Sequence, residues 1–152
     1  MWRNFIIKIN IIDDALSSIE YTNRTNISAE VRNAALEELS NPPYKSGTPV
    51  VGFKPTKTTQ FVRVYTDGQT NRIGKRIMKH SNIEGLTPIQ IKTKYALPYT
   101  PTHYCYVNVP SGTKMYSGIV GENFGRVAGE AVKFELAEQI AENAFSSGIS
   151  LP

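Results

Sequence analysis

Arg63, His103, Lys133 and Glu135 are side chains of the types that hold anions and move protons, and each stands in a stretch that alternates apolar with polar residues. A guanidinium grips a phosphate through two parallel hydrogen bonds. An imidazole exchanges protons near neutral pH. A carboxylate stabilises a developing cation or orients a water. Arg76 is placed to assist with a phosphate, and Tyr65 and Phe124 are the aromatic candidates for contact with a ligand. The same residue types also make cross-strand ion pairs on a solvated sheet face, and His103 also reads as an ordinary strand residue beside a turn. His80 and His103 stand far apart with no second ligand near either, so no metal site is expected. Cys105 is the single cysteine; it shares a strand face with Val107 and Val109, reads as a buried structural thiol, and suits a reducing compartment.

The elements that must carry these residues follow from pattern. Phe61–Tyr65 is β-branched and aromatic and ends at Asp67-Gly68, which predicts a strand with Val62 and Val64 on the core face and Arg63 opposite. Tyr104–Val109 and Lys114–Val120 are predicted strands flanking the turn Pro110-Ser111-Gly112. Ser28 as N-cap predicts a helix to Leu39 with Val31, Ala35 and Leu39 on one face, and Thr87-Pro88 starts a second helix running to about Lys94. Residues 131–144 have helical propensity throughout, with Val132, Leu136 and Ile140 at helical spacing. Yet Val132, Phe134 and Leu136 also alternate with Lys133 and Glu135 as a strand would. Six Pro and Gly residues between 42 and 59 suit an extended connector better than a packed element. The expected layout is therefore a helical lead-in and connector over 1–59 and a module over 60–152, together one compact domain. The expected fold class is α+β, with short N-terminal helices packed on a mainly antiparallel, twisted sheet.

At 152 residues one core is the default, and 40% hydrophobic with 20% charged residues argues against disorder. The longest apolar run, near Phe5–Ile12, is interrupted by Lys8 and Asn10 and is too short to span a membrane. No small-x-small site follows it, so a signal peptide is not expected either. The net charge of +4, concentrated between Lys54 and Lys94, favours an anionic partner, and a solvated basic face accounts for it equally well.

The second half also carries an ordered series of short motifs. Arg63-Val64-Tyr65 is followed by Gly74-Lys75-Arg76-Ile77-Met78, Leu86-Thr87-Pro88-Ile89-Gln90-Ile91, Ala96-Leu97-Pro98 and Pro101-Thr102. Then come Val107-Asn108-Val109-Pro110-Ser111-Gly112-Thr113, Gly118, Phe124-Gly125 and Phe134-Glu135-Leu136. In this order they resemble the C-terminal toxin domains of bacterial polymorphic and contact-dependent inhibition toxins. The layout is also similar to that of tuberculosis necrotizing toxin-like NAD glycohydrolases, in which an early Arg and a late Gln lie at the NAD site. The Arg corresponds to Arg63. At the Gln position this chain has Lys133, and in place of the Gly triplet it has Gly129-Glu130-Ala131.

The resemblance implies a toxin domain that takes NAD as substrate, not as cofactor, and cleaves its nicotinamide–ribose bond. It favours the strand reading of 131–136, and with Arg63 it suggests a cleft shared by Arg63, Lys133 and Glu135. It also implies a larger delivery protein, a cognate immunity protein, and action in the cytoplasm of a target cell. An alternative within the same families is a metal-independent ribonuclease acting on tRNA or rRNA. There His103 or His80 would serve as base or acid, Lys133, Arg63 and Arg76 would hold phosphate, and Tyr95, Tyr99, Tyr104 and Tyr106 would stack bases. A third reading is a non-catalytic binding module, consistent with the absent Gln.

Overall fold

The computed structural model describes residues 2–37, 41–123 and 131–152. In chain order the elements are α1 (Trp2–Leu16), β1 (Tyr21–Ser28), α2 (Ala29–Ala35), β2 (Pro49–Pro55), β3 (Thr59–Tyr65) and β4 (Arg76–Ile77). They continue with α3 (Pro88–Tyr95), β5 (His103–Val109), β6 (Met115–Ile119), β7 (Val132–Leu136) and β8 (Ile149–Ser150), and 3-10 turns lie at His80–Asn82 and Glu142–Ala144. Five strands form one sheet in the order β1-β2-β6-β7-β4, and three form another in the order β3-β5-β8. Every strand pairing is antiparallel. The fold is α+β, as the patterns predict.

Among the described residues, the two sheets meet in backbone pairing at one point. Just past β4, Val62 and Met78 exchange backbone hydrogen bonds of 2.8 and 2.9 Å, so β3 continues the ladder beyond the β4 edge. The main core lies on the inner faces. It gathers Ile12 and Leu16 of α1, Val51 and Phe53 of β2, Phe61 of β3, Cys105 and Val107 of β5, Met115 and Ile119 of β6, and Phe134 and Leu136 of β7. A second cluster, Val62, Val64, Met78, Ile83, Ile91 and Tyr95, fills the space between β3 and α3. Each fully buried Leu, Ile or Phe side chain contributes about 1.5–3 kcal/mol, so these two clusters are the main source of stability.

The helix ends follow their sequence signals. Ser28 Oγ accepts from Val31 N at 3.1 Å, and Thr87 and Gln90 form a reciprocal capping box at the start of α3. Among the described residues, no helix is long and apolar enough to cross a membrane.

Four sequence expectations need correction or resolution. The stretch read as connector contains β2, a central strand buried along most of its length between β1 and β6. Its prolines stand at the two ends, while Val50-Val51-Gly52-Phe53 supplies the interior. The buried face of α2 is Ala29, Asn33 and the half-buried Arg32 and Leu36, whereas Val31 is 58% exposed. Leu39 lies outside the described residues. Residues 132–136 are a strand, because β6 on one side and β4 on the other take up its backbone groups. Finally, β3 has no solvated face, since Phe61 enters the main core while Val62 and Val64 enter the second.

Candidate functional site

On β7 alternate residues face opposite ways, so Val132, Phe134 and Leu136 enter the core and Lys133 and Glu135 take the outer face. Antiparallel register sets Tyr116 and Arg76 beside Glu135, and Gly118 beside Lys133. That outer face is not open. α2 and Tyr44 lie over it, and Lys133 and Glu135 are 8% and 2% exposed.

The cover is assembled stepwise from the N-terminal third. Ser28 starts α2, and Asn33 on its buried side grips the backbone of Tyr44, accepting from its N at 3.0 Å and donating to its O at 2.9 Å. Tyr44 then lies flat on Gly118, where any Cβ would stand 2.6 Å from its ring. Only glycine leaves room for that approach. From there the Tyr44 hydroxyl donates to Glu135 Oε1 at 2.8 Å. Arg32 adds a two-pronged contact, Nε to Oε1 at 3.2 Å and Nη2 to Oε2 at 2.6 Å, with its guanidinium 4.0 Å from the Tyr116 ring centre. Lys133 Nζ lies 4.6 Å from the centre of the Tyr44 ring.

Electrostatics agree with this geometry. Burial alone would lower the Arg32 guanidinium, but its bonds and attraction to Glu135 offset that, and its pKa stands above the ordinary value. Burial and the neighbouring Glu135 carboxylate push the Tyr44 phenol well up. The acceptor oxygens of Glu135 are thus largely taken by Arg32 and Tyr44.

Arg63 approaches from the other sheet. Its Nε and Nη2 donate to the carbonyl of Asn71 at 3.1 and 3.0 Å, and its Nη1 donates to the carbonyl of Arg76 at 3.0 Å. Three of the five guanidinium N–H donors are thus committed to the backbone of the segment leading into β4. Gly74 is what lets it sit there, since a Cβ at that position would fall 2.3 Å from Arg63 Cζ. Burial and the adjacent Arg76 lower its pKa, with burial the larger effect.

Arg63, Arg76 and Glu135 meet, with Lys75 and Leu36, around a cavity of about 230 Å3. Its lining holds three basic side chains, Arg63, Lys75 and Arg76, and one carboxylate, which is paired with Arg32. The volume falls below the ~300–1,000 Å3 typical of sites that enclose a whole small-molecule ligand, so it suits a phosphate-sized group better than an entire dinucleotide.

The structure divides the remaining candidates. Lys133 shares the outer face with Glu135 but does not line this cavity. Tyr65 and His103 pair at the far ends of β3 and β5, with rings stacked at 5.5 Å and an interplanar angle of 17°. His103 has Thr102 Oγ1 2.7 Å from Nδ1 and Ser150 Oγ 3.4 Å from Nε2. Tyr65 lines a separate, open cavity over 65–72. Phe124 lies outside the described residues. The cleft expected for Arg63, Lys133 and Glu135 is thus a cavity shared by Arg63, Arg76 and Glu135, with Lys133 outside it.

Arg32 and Tyr44 are the residues that sequence reasoning missed. Ala29, Arg32, Asn33 and Leu36 follow the i, i+3, i+4, i+7 spacing of one helix face, which was the available signal. Tyr44 sits in the Pro-rich stretch and carried none. Comparison with protein families, curated proteins and solved structures finds no match for this chain.

Proposed function

We propose that this chain is the effector domain of an antibacterial toxin that hydrolyses NAD between nicotinamide and ribose. The observation that supports the reading is the convergence of Arg63, Arg76 and Glu135, from two sheets, on one cavity. Arg63 is the residue that the motif resemblance assigns to NAD, and the chemistry needs cations for the pyrophosphate together with a carboxylate near the ribose.

In the reaction the bond between ribose C1′ and the nicotinamide nitrogen breaks, and its electron pair stays on that nitrogen and neutralises it. The ribose becomes an oxocarbenium ion. Water adds to C1′ and releases a proton, so the products are nicotinamide, ADP-ribose and H⁺. Glu135 stabilises the ribose cation and orients the water. Arg32 is the cation now on that carboxylate, and the reaction requires the ribose cation to take its place.

The domain would belong to a larger delivery protein, act in the cytoplasm of the target cell, and be held inactive in the producer by an immunity protein. A ribonuclease reading has one specific observation in its favour: the His80 ring lies 5.7 and 5.6 Å from those of Tyr104 and Tyr106.

Purified protein incubated with NAD and with total tRNA separates these readings. Release of nicotinamide with tRNA intact is the expected result, strengthened by faster release from Lys133→Gln, which restores the Gln of the resembled motif. Cleaved tRNA with intact NAD would replace the proposal by the ribonuclease reading. Inertness toward both, in the parent and in Lys133→Gln, would leave a binding module.

A further inference from the structure

A second cavity, of about 330 Å3, lies between the C-terminal turn of α1, the His80–Asn82 turn, α3 and the start of β7. Asp14, Lys79, Ser81, Asn82, Lys94 and Val132 are among the residues that line it. It belongs neither to the Arg63–Glu135 cavity nor to the reaction proposed above.

Its two lysines are the informative feature. Lys79 Nζ donates to Ser18 Oγ at 2.7 Å, and Lys94 Nζ donates to the carbonyl of Asn82 at 2.7 Å. Each ammonium has three donors, and each spends one on a neutral oxygen. Neither forms an ion pair with a carboxylate among the described residues. Asp14, the carboxylate on the rim, is exposed. Both lysines are half-buried, and burial lowers the pKa of each ammonium. Two partly desolvated cations, neither ion-paired among the described residues, carry a cost that an anion between them offsets.

The turn that supplies Ser81 and Asn82 to the cavity also carries an aromatic cluster, which lies outside the cavity's lining. His80 leads directly into Ser81 and Asn82, and its ring completes a cluster with Tyr104 and Tyr106, whose own centres are 5.7 Å apart. Bases stack on such rings whatever their sequence.

We propose that this cavity binds the phosphate of a nucleotide, held by Lys79 and Lys94, with the base against the His80, Tyr104 and Tyr106 rings. The phosphate belongs either to a free nucleotide or to a phosphodiester of single-stranded RNA. Both present the same chemistry to the two ammonium groups.

The test is an amide and aromatic NMR titration of the full chain with inorganic pyrophosphate, AMP and a short single-stranded RNA. Pyrophosphate should shift the Ser81 and Asn82 amides, and AMP should also shift the Tyr104 and Tyr106 ring resonances. The double variant Lys79→Gln, Lys94→Gln should weaken AMP binding about tenfold or more, the equivalent of at least one charge-assisted bond. RNA bound more tightly than AMP assigns the site to a strand, and equal affinity assigns it to a free nucleotide. The proposal is overturned if pyrophosphate leaves the amides of this turn unmoved in the parent chain. It is equally overturned if the double variant keeps the parent's amide spectrum and its affinity. These readouts are binding shifts, so they stand apart from any outcome of the NAD assay.

Discussion

Replacing Arg32 by Met would leave the Glu135 carboxylate under α2 with Tyr44 as its remaining hydrogen-bond donor among the contacts seen here. Removing one partner of a buried ion pair costs about 3–5 kcal/mol, because the other charge stays desolvated. The pair here is well enclosed, with side chains 12% and 3% exposed, but Tyr44 keeps its bond, so the lower end applies. The expected loss is about 3 kcal/mol, which for a chain of this size lowers the melting temperature by roughly 6–12 °C. Glu135→Leu strands the Arg32 guanidinium and the Tyr44 hydroxyl and should cost a similar amount. The double variant carries neither charge and loses less than the sum, giving a coupling of about 2 kcal/mol in a double-mutant cycle. Urea denaturation of the four proteins measures it. If the two single costs add to within about 0.5 kcal/mol, the contact does not hold α2 to the sheet and the site as described is wrong.

Gly74→Ala should displace the Arg63 guanidinium and lose its three bonds to the Asn71 and Arg76 carbonyls, at a cost of about 2 kcal/mol. In an Arg63→Met background the same change should cost far less, and equal costs in both would show that Arg63 is not what Gly74 accommodates. Tyr44 and Tyr95 both titrate above the ordinary phenol value when folded, chiefly through burial, so the stability they lend is complete below pH 10 and falls as pH rises past it. Each contributes a slope of about 1.4 kcal/mol per pH unit, so alkaline unfolding should release two phenolates together. An absorbance rise that accounts for all eight tyrosines before the unfolding transition would contradict this. Burial also raises the Cys105 thiol, and in the native state a thiol reagent at pH 8 should label it far more slowly than in denaturant. Equal rates would show the strand to be open.

The strands at 61–65, 104–109 and 115–119 and the caps at Ser28 and Thr87 were legible because each rests on a short-range rule: β-branched content, alternation, or a hydroxyl at a helix start. The stretch 131–136 was not decidable by such rules, since its residues fit both periods. It is a strand because β6 and β4 offer their edges to it, which is a property of the assembled sheet. β2 was misread for the related reason that a Pro- and Gly-rich segment becomes a strand only when partners flank it on both sides.

Arg63, Arg76 and Glu135 could be named from residue type, and their alternation with apolar neighbours set the faces they occupy. What lay over those faces could not be read locally. That Arg32 and Tyr44 saturate Glu135 depends on α2 folding back across Gly118, and that Arg63 spends its donors on Asn71 and Arg76 depends on Gly74 leaving space. Local pattern determined the elements and the chemical candidates, because propensity and periodicity act over a few residues. Tertiary structure alone decided which candidates meet and how buried they are, because those contacts join segments distant in sequence.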